Sequence, residues 1–231
     1  MTKRKVQKPI KITPKAILFL LILFSHTNLP GQNISFFAGL NGTILHDYHS
    51  SEGHYRSSYQ PGLGYSLGIG LDSIDLFWWN IPFKLKFERY GAQLSAGDGG
   101  LGGNYWVDTR VDKSILTLGI YPLNFRIKPN FKLSIGTELS YLLAEQLQGK
   151  YGSWIGGQTP QTGTLKEKYP RYGRKTYLGL GANLSYDWFI SPSLVVAPYY
   201  TYYFGLSNEF REFPNITKAM RHTIGLALRK R

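Results

Sequence analysis

Three sets of residues have the types that chemistry needs. His46, Asp47, His49, Glu52 and His54 place imidazoles and carboxylates close together in one segment, and such a set could hold a transition metal at a surface. A solvated loop explains the same residues without a metal. Ser207, Glu209 and His222 supply the hydroxyl, carboxylate and imidazole of nucleophilic catalysis, in which a base activates the hydroxyl and an acid orients the base. Nothing in their spacing fixes the three together, and His222 reads equally as an interfacial side chain. The third set is basic and aromatic: Lys150, Tyr151, Trp154, Lys166, Lys168, Arg171, Arg174 and Lys175. It could form a surface recognition loop that meets anionic phosphates, those of lipopolysaccharide included.

The elements that would position these residues follow from hydropathy. Phe131 to Leu143 reads F-K-L-S-I-G-T-E-L-S-Y-L-L, with Phe131, Leu133, Ile135, Leu139, Tyr141 and Leu143 on one face at period two. That period belongs to a half-buried strand, because successive side chains of an extended chain point to opposite faces. About 11 residues at roughly 3.3 Å each, tilted by roughly 40°, rise through about the thickness of a bilayer core. The same alternation recurs seven more times, at 34–45, 61–71, 76–94, 111–121, 176–188, 194–204 and 218–228. Eight strands are expected, an even number, as bacterial transmembrane barrels have.

The connections carry independent information. Those at 46–60, 96–110, 145–175 and 205–217 are long and polar or glycine-rich, whereas 72–75, 122–130 and 189–193 are short. Long and short ends in alternation fit an up-and-down barrel with long outer loops and short periplasmic turns.

The first 31 residues read as a secretory signal, leaving 32–231 as a single barrel domain. Lys3, Arg4, Lys5, Lys8, Lys11 and Lys15 precede the apolar run Ala16 to Phe24, which is too short to span a bilayer as a stable helix. Removing these six basic residues, with no acidic ones, takes the formal charge from +13 to +7. Nucleic acid is therefore not needed to explain the basic balance, and no nucleic-acid partner is expected of an exported chain. There is no cysteine, which excludes disulfides and thiolate metal sites. No cofactor and no metal are expected.

Alternation alone does not say which face is inside. A secreted lipocalin-like barrel would turn its apolar face inward around a ligand. The polar face of the second strand is Gly62, Gly64, Ser66, Gly68 and Gly70, an odd surface for water but a suitable lining for a narrow barrel. Lys84, Lys86, Glu88, Lys132 and Glu138 would then point inward as a structural polar network, where charges persist only when paired. A plugged interior follows. Trp79 and Trp188 are expected in one interfacial belt and Tyr202 and Phe204 in the other. The Gly-X-Gly pairs lie within strands and are not phosphate loops. Asp72-Ser73-Ile74 matches a short O-glycosylation pattern at an expected turn.

With its signal ending Gly31-Gln32, its glycine-alternating strands at 62–70 and 178–184, and its last strand reading H-T-I-G-L-A-L, the chain resembles the small outer-membrane β-barrels of Bacteroides-type bacteria (Bacteroidota), described as PorT-like or OmpA-like. The resemblance implies an all-β, eight-stranded antiparallel barrel in the outer membrane of a Gram-negative cell. Its partners would be outer-membrane lipid and lipopolysaccharide, the barrel-assembly machinery during insertion, and an envelope protein of unknown identity. A structural, adhesive or assembly-accessory role is expected. A lipid A deacylase or acyltransferase is the alternative, followed by the secreted ligand-binding barrel.

Overall fold

The computed structural model describes residues 34–47, 56–76, 79–100, 102–156, 158–167, 173–211 and 216–230. The expected signal, His49, Glu52, His54, Lys168, Tyr169, Arg171 and Tyr172 lie outside them.

Ten strands are present among the described residues: β1 (Ile34–Asp47), β2 (Arg56–Leu76), β3 (Trp79–Gly100), β4 (Gly103–Lys128), β5 (Phe131–Ile155), β6 (Gln161–Glu167), β7 (Thr176–Tyr186), β8 (Trp188–Ser191), β9 (Leu194–Gly205) and β10 (Thr217–Lys230). Neighbours pair antiparallel in the order β10-β1-β2-β3-β4-β5-β7-β9, and β9 pairs back onto β10. Eight strands therefore close into a barrel with no edge. The remaining two are appendages: β6 folds onto the far end of β5, and β8 forms a short hairpin with β9.

Closure seals the backbone and alternation sorts the side chains. Leu40, Leu63, Leu118, Leu139, Leu180 and Ile224 project outward and are exposed, Leu63 by 82%. Their neighbours Asn41, Ser66, Thr117, Glu138, Ser140 and Thr223 face the lumen and are buried. Relative to a water-soluble barrel, the distribution is inverted.

Four boundaries differ from the sequence expectation. The segment 96–110 is not a loop: β3 and β4 stay paired out to Gly100 opposite Gly103. Likewise β5 runs on to Ile155, with β6 returning beside it. Beyond the apolar band the outward face of these strands turns polar, while Ala96, Thr109 and Leu147 stay buried on the inner face, so the alternation that marks a strand fades although the hydrogen-bond ladder continues. At the opposite end, β2 reaches Leu76, with Ile74 opposite Ile81 and Leu76 opposite Trp79, so 72–75 is strand and not a turn. Similarly β4 continues to Lys128, opposite Phe131. A bulge between Ile120 and Leu123 interrupts its parity, which hides the continuation from a period-two reading.

The glycines of the lumen have a more specific role than smallness. A Cβ at Gly68 would strike the Phe37 ring, one at Gly39 the Tyr199 hydroxyl, and one at Gly179 the Tyr203 ring. Each of these three inward glycines makes room for an inward aromatic. Tyr90, Tyr121, Tyr177 and Tyr203 are all but fully buried. In the run Tyr199 to Tyr203, aromatics occupy both parities, so the sequence pattern shows the outward set and conceals the inward one.

Candidate functional site

The lumen holds the densest arrangement of charged groups among the described residues, and it is built in layers. At the short-turn end Arg229 of β10 pairs with Asp187, whose other oxygen takes Lys132 of β5 at 2.7 Å. One step in, the ammonium of Lys84 lies over three rings, Tyr121 at 5.3 Å and Phe37 and Tyr199 at 5.7 Å each. Cation–π attraction of this kind strengthens as the cation is desolvated.

The middle layer is a two-cation, two-anion cluster. Lys86 of β3 bridges Glu88 at 3.2 Å and Glu138 of β5 at 2.8 Å. Arg221 of β10 lies 3.5 Å from Glu88 and packs its guanidinium on the Tyr203 ring at 3.7 Å. Tyr121 donates to Glu138 at 2.5 Å, Thr117 donates to Glu88 at 3.1 Å, and Thr117 and Ser140 share a further bond at 2.8 Å. Arg221 and Glu88 are 1% exposed and Glu138 is 0% exposed. Ions so far from water persist only when charge and hydrogen bonding are both met locally.

The third layer closes the long-loop end. The segment after β9 folds back into the mouth. There Glu209 accepts from Lys113 of β4 at 2.8 Å and from Tyr90 at 2.9 Å, while its carbonyl accepts a second bond from Lys113 at 3.0 Å. Its backbone is held on both sides, its N–H donating to Thr217 and its carbonyl accepting from Arg174. Glu145 lies 3.9 Å from Lys113 and accepts the Gly173 N–H at 3.0 Å. The Lys113 ammonium lies 4.4 Å from the centroid of the Phe210 ring, which is 0% exposed and packs with Leu45, Leu94, Val111, Leu147 and Ala219.

All five residues assigned to an inward network, Lys84, Lys86, Glu88, Lys132 and Glu138, face this lumen. Arg221, Asp187, Arg229, Lys113, Glu145 and Glu209 were not anticipated. Lys113 carries a usable signal, its place on the parity opposite to Leu116, Leu118 and Ile120. Glu145 is obscured by the irregularity at Ser114 and Ile115, opposite Leu142 and Ala144, which shifts the parity. Glu209 has no such signal, because it lies in a connection.

The other sets fare differently. Ser207, Glu209 and His222 are not assembled: Glu209 is inside on Lys113, Ser207 bonds the backbone of Leu178, and His222 faces outward with its Nδ1 2.6 Å from the Tyr200 hydroxyl. Of the histidine and carboxylate segment, Asp47 is engaged by Thr217 at 2.6 Å and by Ser57, tying β1, β2 and β10 together. The basic and aromatic set divides. Lys150, Trp154 and Lys166 share the outer face of the β5–β6 hairpin, Tyr151 packs over Gly163 on the other, and Arg174 and Lys175 return to the barrel rim. The side chains at 72–80, which include Ser73 and Trp79, lie outside the described residues. Trp188 is exposed near the short-turn end.

Fold and lumen define a closed, eight-stranded antiparallel barrel, apolar outside and ionic within. No family model matches the chain, and no curated protein sequence matches it. Among solved structures it is similar to Ail, the attachment invasion locus protein of Yersinia pestis, at 15% identity over 86% of this chain and 98% of that one, with a TM-score of 0.41. It is similar to Neisserial surface protein A at 12% identity over 84% and 95%, TM-score 0.43. OprG of Pseudomonas aeruginosa gives 11% over 86% and 95%, TM-score 0.41. Likeness at this level identifies no ligand, substrate or partner.

Proposed function

We propose that this chain is an exported, integral outer-membrane β-barrel protein, plugged and not pore-forming, with a structural, adhesive or envelope-accessory role. The observation that carries the reading is the inverted distribution: leucine, isoleucine, phenylalanine and tyrosine cover the outside, while paired ions fill the inside. In water such an exterior would be a large unbroken apolar patch, which soluble monomers avoid. In a bilayer it is the favourable surface, and strand closure satisfies every ladder group that lipid cannot. A lipocalin-like barrel needs the opposite arrangement. Arg89, Arg110 and Lys166, outward beyond the apolar band, would meet the phosphates of the outer leaflet. The reading assigns no catalysis, supported by the separation of His222, Ser207 and Glu209.

Electrophoresis of the membrane fraction with and without boiling, beside urea extraction, tests it. A faster-running unboiled band that stays in the pellet is the expected result. A single mobility with release into the soluble fraction would sink the membrane assignment.

A further inference from the structure

The strands that outrun the apolar band, β2 to β6, turn a polar face outward, and this face carries an open groove of about 970 Å³. Gly97 and Gly99 of β3 form its floor. Ser58 of β2 flanks one side, and Asn104, Trp106 and Asp108 of β4 flank the other. Gly97 is opposite Trp106, Gly99 opposite Asn104, and the β3–β4 register runs without a shift from these pairs to the outward Leu85 and Leu118. Gly97, Gly99, Ser58, Asn104, Trp106 and Asp108 therefore share the outer face, while Ser57, Ala96, Asp98 and Val107, which also line the groove, alternate to the inner side.

Two features make this more than a dent between strands. Trp106 lays its indole over Gly152 of β5, where a Cβ would sit 2.5 Å from Nε1, and yet the residue remains 38% exposed. The missing side chain seats the ring without covering it. In addition, Gln93 and Ser95 both donate to Oδ1 of Asp108, at 2.6 and 3.1 Å. The carboxylate is held in place by one oxygen, and Oδ2 takes no bond from the described residues.

We propose that this groove binds a neutral oligosaccharide. A pyranose has one face of C–H bonds, which an exposed indole can cover, and a rim of hydroxyls that both donate and accept. Asp108 Oδ2 accepts from such a hydroxyl, and the Asn104 amide and Ser58 hydroxyl can do either. A lone aromatic with a few convergent polar groups is the composition of a small-ligand site. Asp108 sets a carboxylate in the lining, which disfavours a sulfated or carboxylated chain at that point by like-charge repulsion, with Lys150 standing opposite it across the β4–β5 ladder. An apolar peptide would leave the oriented carboxylate unmatched, at the cost of its hydration.

The test uses the full chain in a zwitterionic, non-glycosidic detergent, because sugar detergents would compete. Maltohexaose, cellohexaose and chitohexaose are titrated calorimetrically, with dextran sulfate as the anionic comparison. At least one neutral hexaose should bind, and Trp106→Ala should weaken it by about tenfold or more. Gly99→Val should abolish binding by filling the floor, where the new Cβ meets only the Asn104 side chain, at 3.6 Å or beyond. Both variants should keep the heat-dependent mobility of the wild type, which separates loss of the groove from loss of the barrel. No neutral binding up to about 10 mM, tighter binding of dextran sulfate, or binding indifferent to both substitutions would overturn the proposal. Failure of the mobility shift in the wild type would instead count against the membrane reading.

Discussion

At the scale of single residues, the lumen turns on balance and not on the number of ion pairs. Lys86 and Arg221 face Glu88 and Glu138, two charges of each sign, with Lys86 touching both carboxylates. Removing one member of a buried pair leaves an uncompensated charge, which typically costs about 3–5 kcal/mol, whereas removing both partners is far milder. Lys86→Met is therefore expected to destabilise the barrel by roughly that amount. Lys86→Met combined with Glu138→Gln, which leaves Glu88 to Arg221, should recover most of the loss. Urea unfolding of the refolded protein in lipid, followed by the mobility shift, measures both; a double variant no better than the single would refute a balanced cluster. Parity in the sequence brings Lys86 and Glu138 to the polar side of their strands. Their partner Arg221 is not legible there, because only ring closure brings β10 into reach of β3 and β5.

At the scale of elements, the decisive event is the meeting of the first and last strands. β1 and β10 pair through thirteen positions, Ser35 with Arg229 to Asp47 with Thr217. At mid-seam Gly225 stands opposite Gly39, and a Cβ on Gly225 would overlap the carbonyl oxygen of Ala38 and press the Tyr199 ring. Gly225→Val is thus expected to block closure and remove the fast-migrating band. Leu226→Val, a neighbour on the outward face, should leave that band intact; equal behaviour of the two would show that the seam tolerates bulk. Strand existence was legible where an apolar outward face ran without a break in parity, as in Leu63 to Leu71 against Gly62 to Gly70. It was not legible from Ala96 to Arg110 or from Gly149 to Ile155, where hydrogen bonds persist without an apolar outward face to announce them. The groove lies in that silent region, so its glycines and Trp106 read from sequence as loop.

At the scale of the molecule, whether the barrel conducts depends on how many independent closures lie along its axis. Eight strands enclose a space just wide enough for side chains, and here that space is occupied at successive heights. Glu209 and Phe210 cap the mouth, the Lys86 cluster with Arg221 on the Tyr203 ring fills the level below, the rings around Lys84 come next, and Asp187 with Arg229 and Lys132 closes the far end. A cap alone could be a gate, but a cap above three further filled layers cannot be. The wild type inserted in a planar bilayer is accordingly expected to show no stable conductance steps. The same should hold for Glu209→Gln combined with Phe210→Ala. That variant removes the negative charge facing Lys113 and the ring packed in the mouth and should unfold at lower urea, yet the layers beneath still block the path. Stable steps in the double variant alone would mean that the cap is the gate of a latent pore and that the lower layers yield to water. Steps in the wild type would mean that the lumen is open in lipid, and the plugged reading would fall.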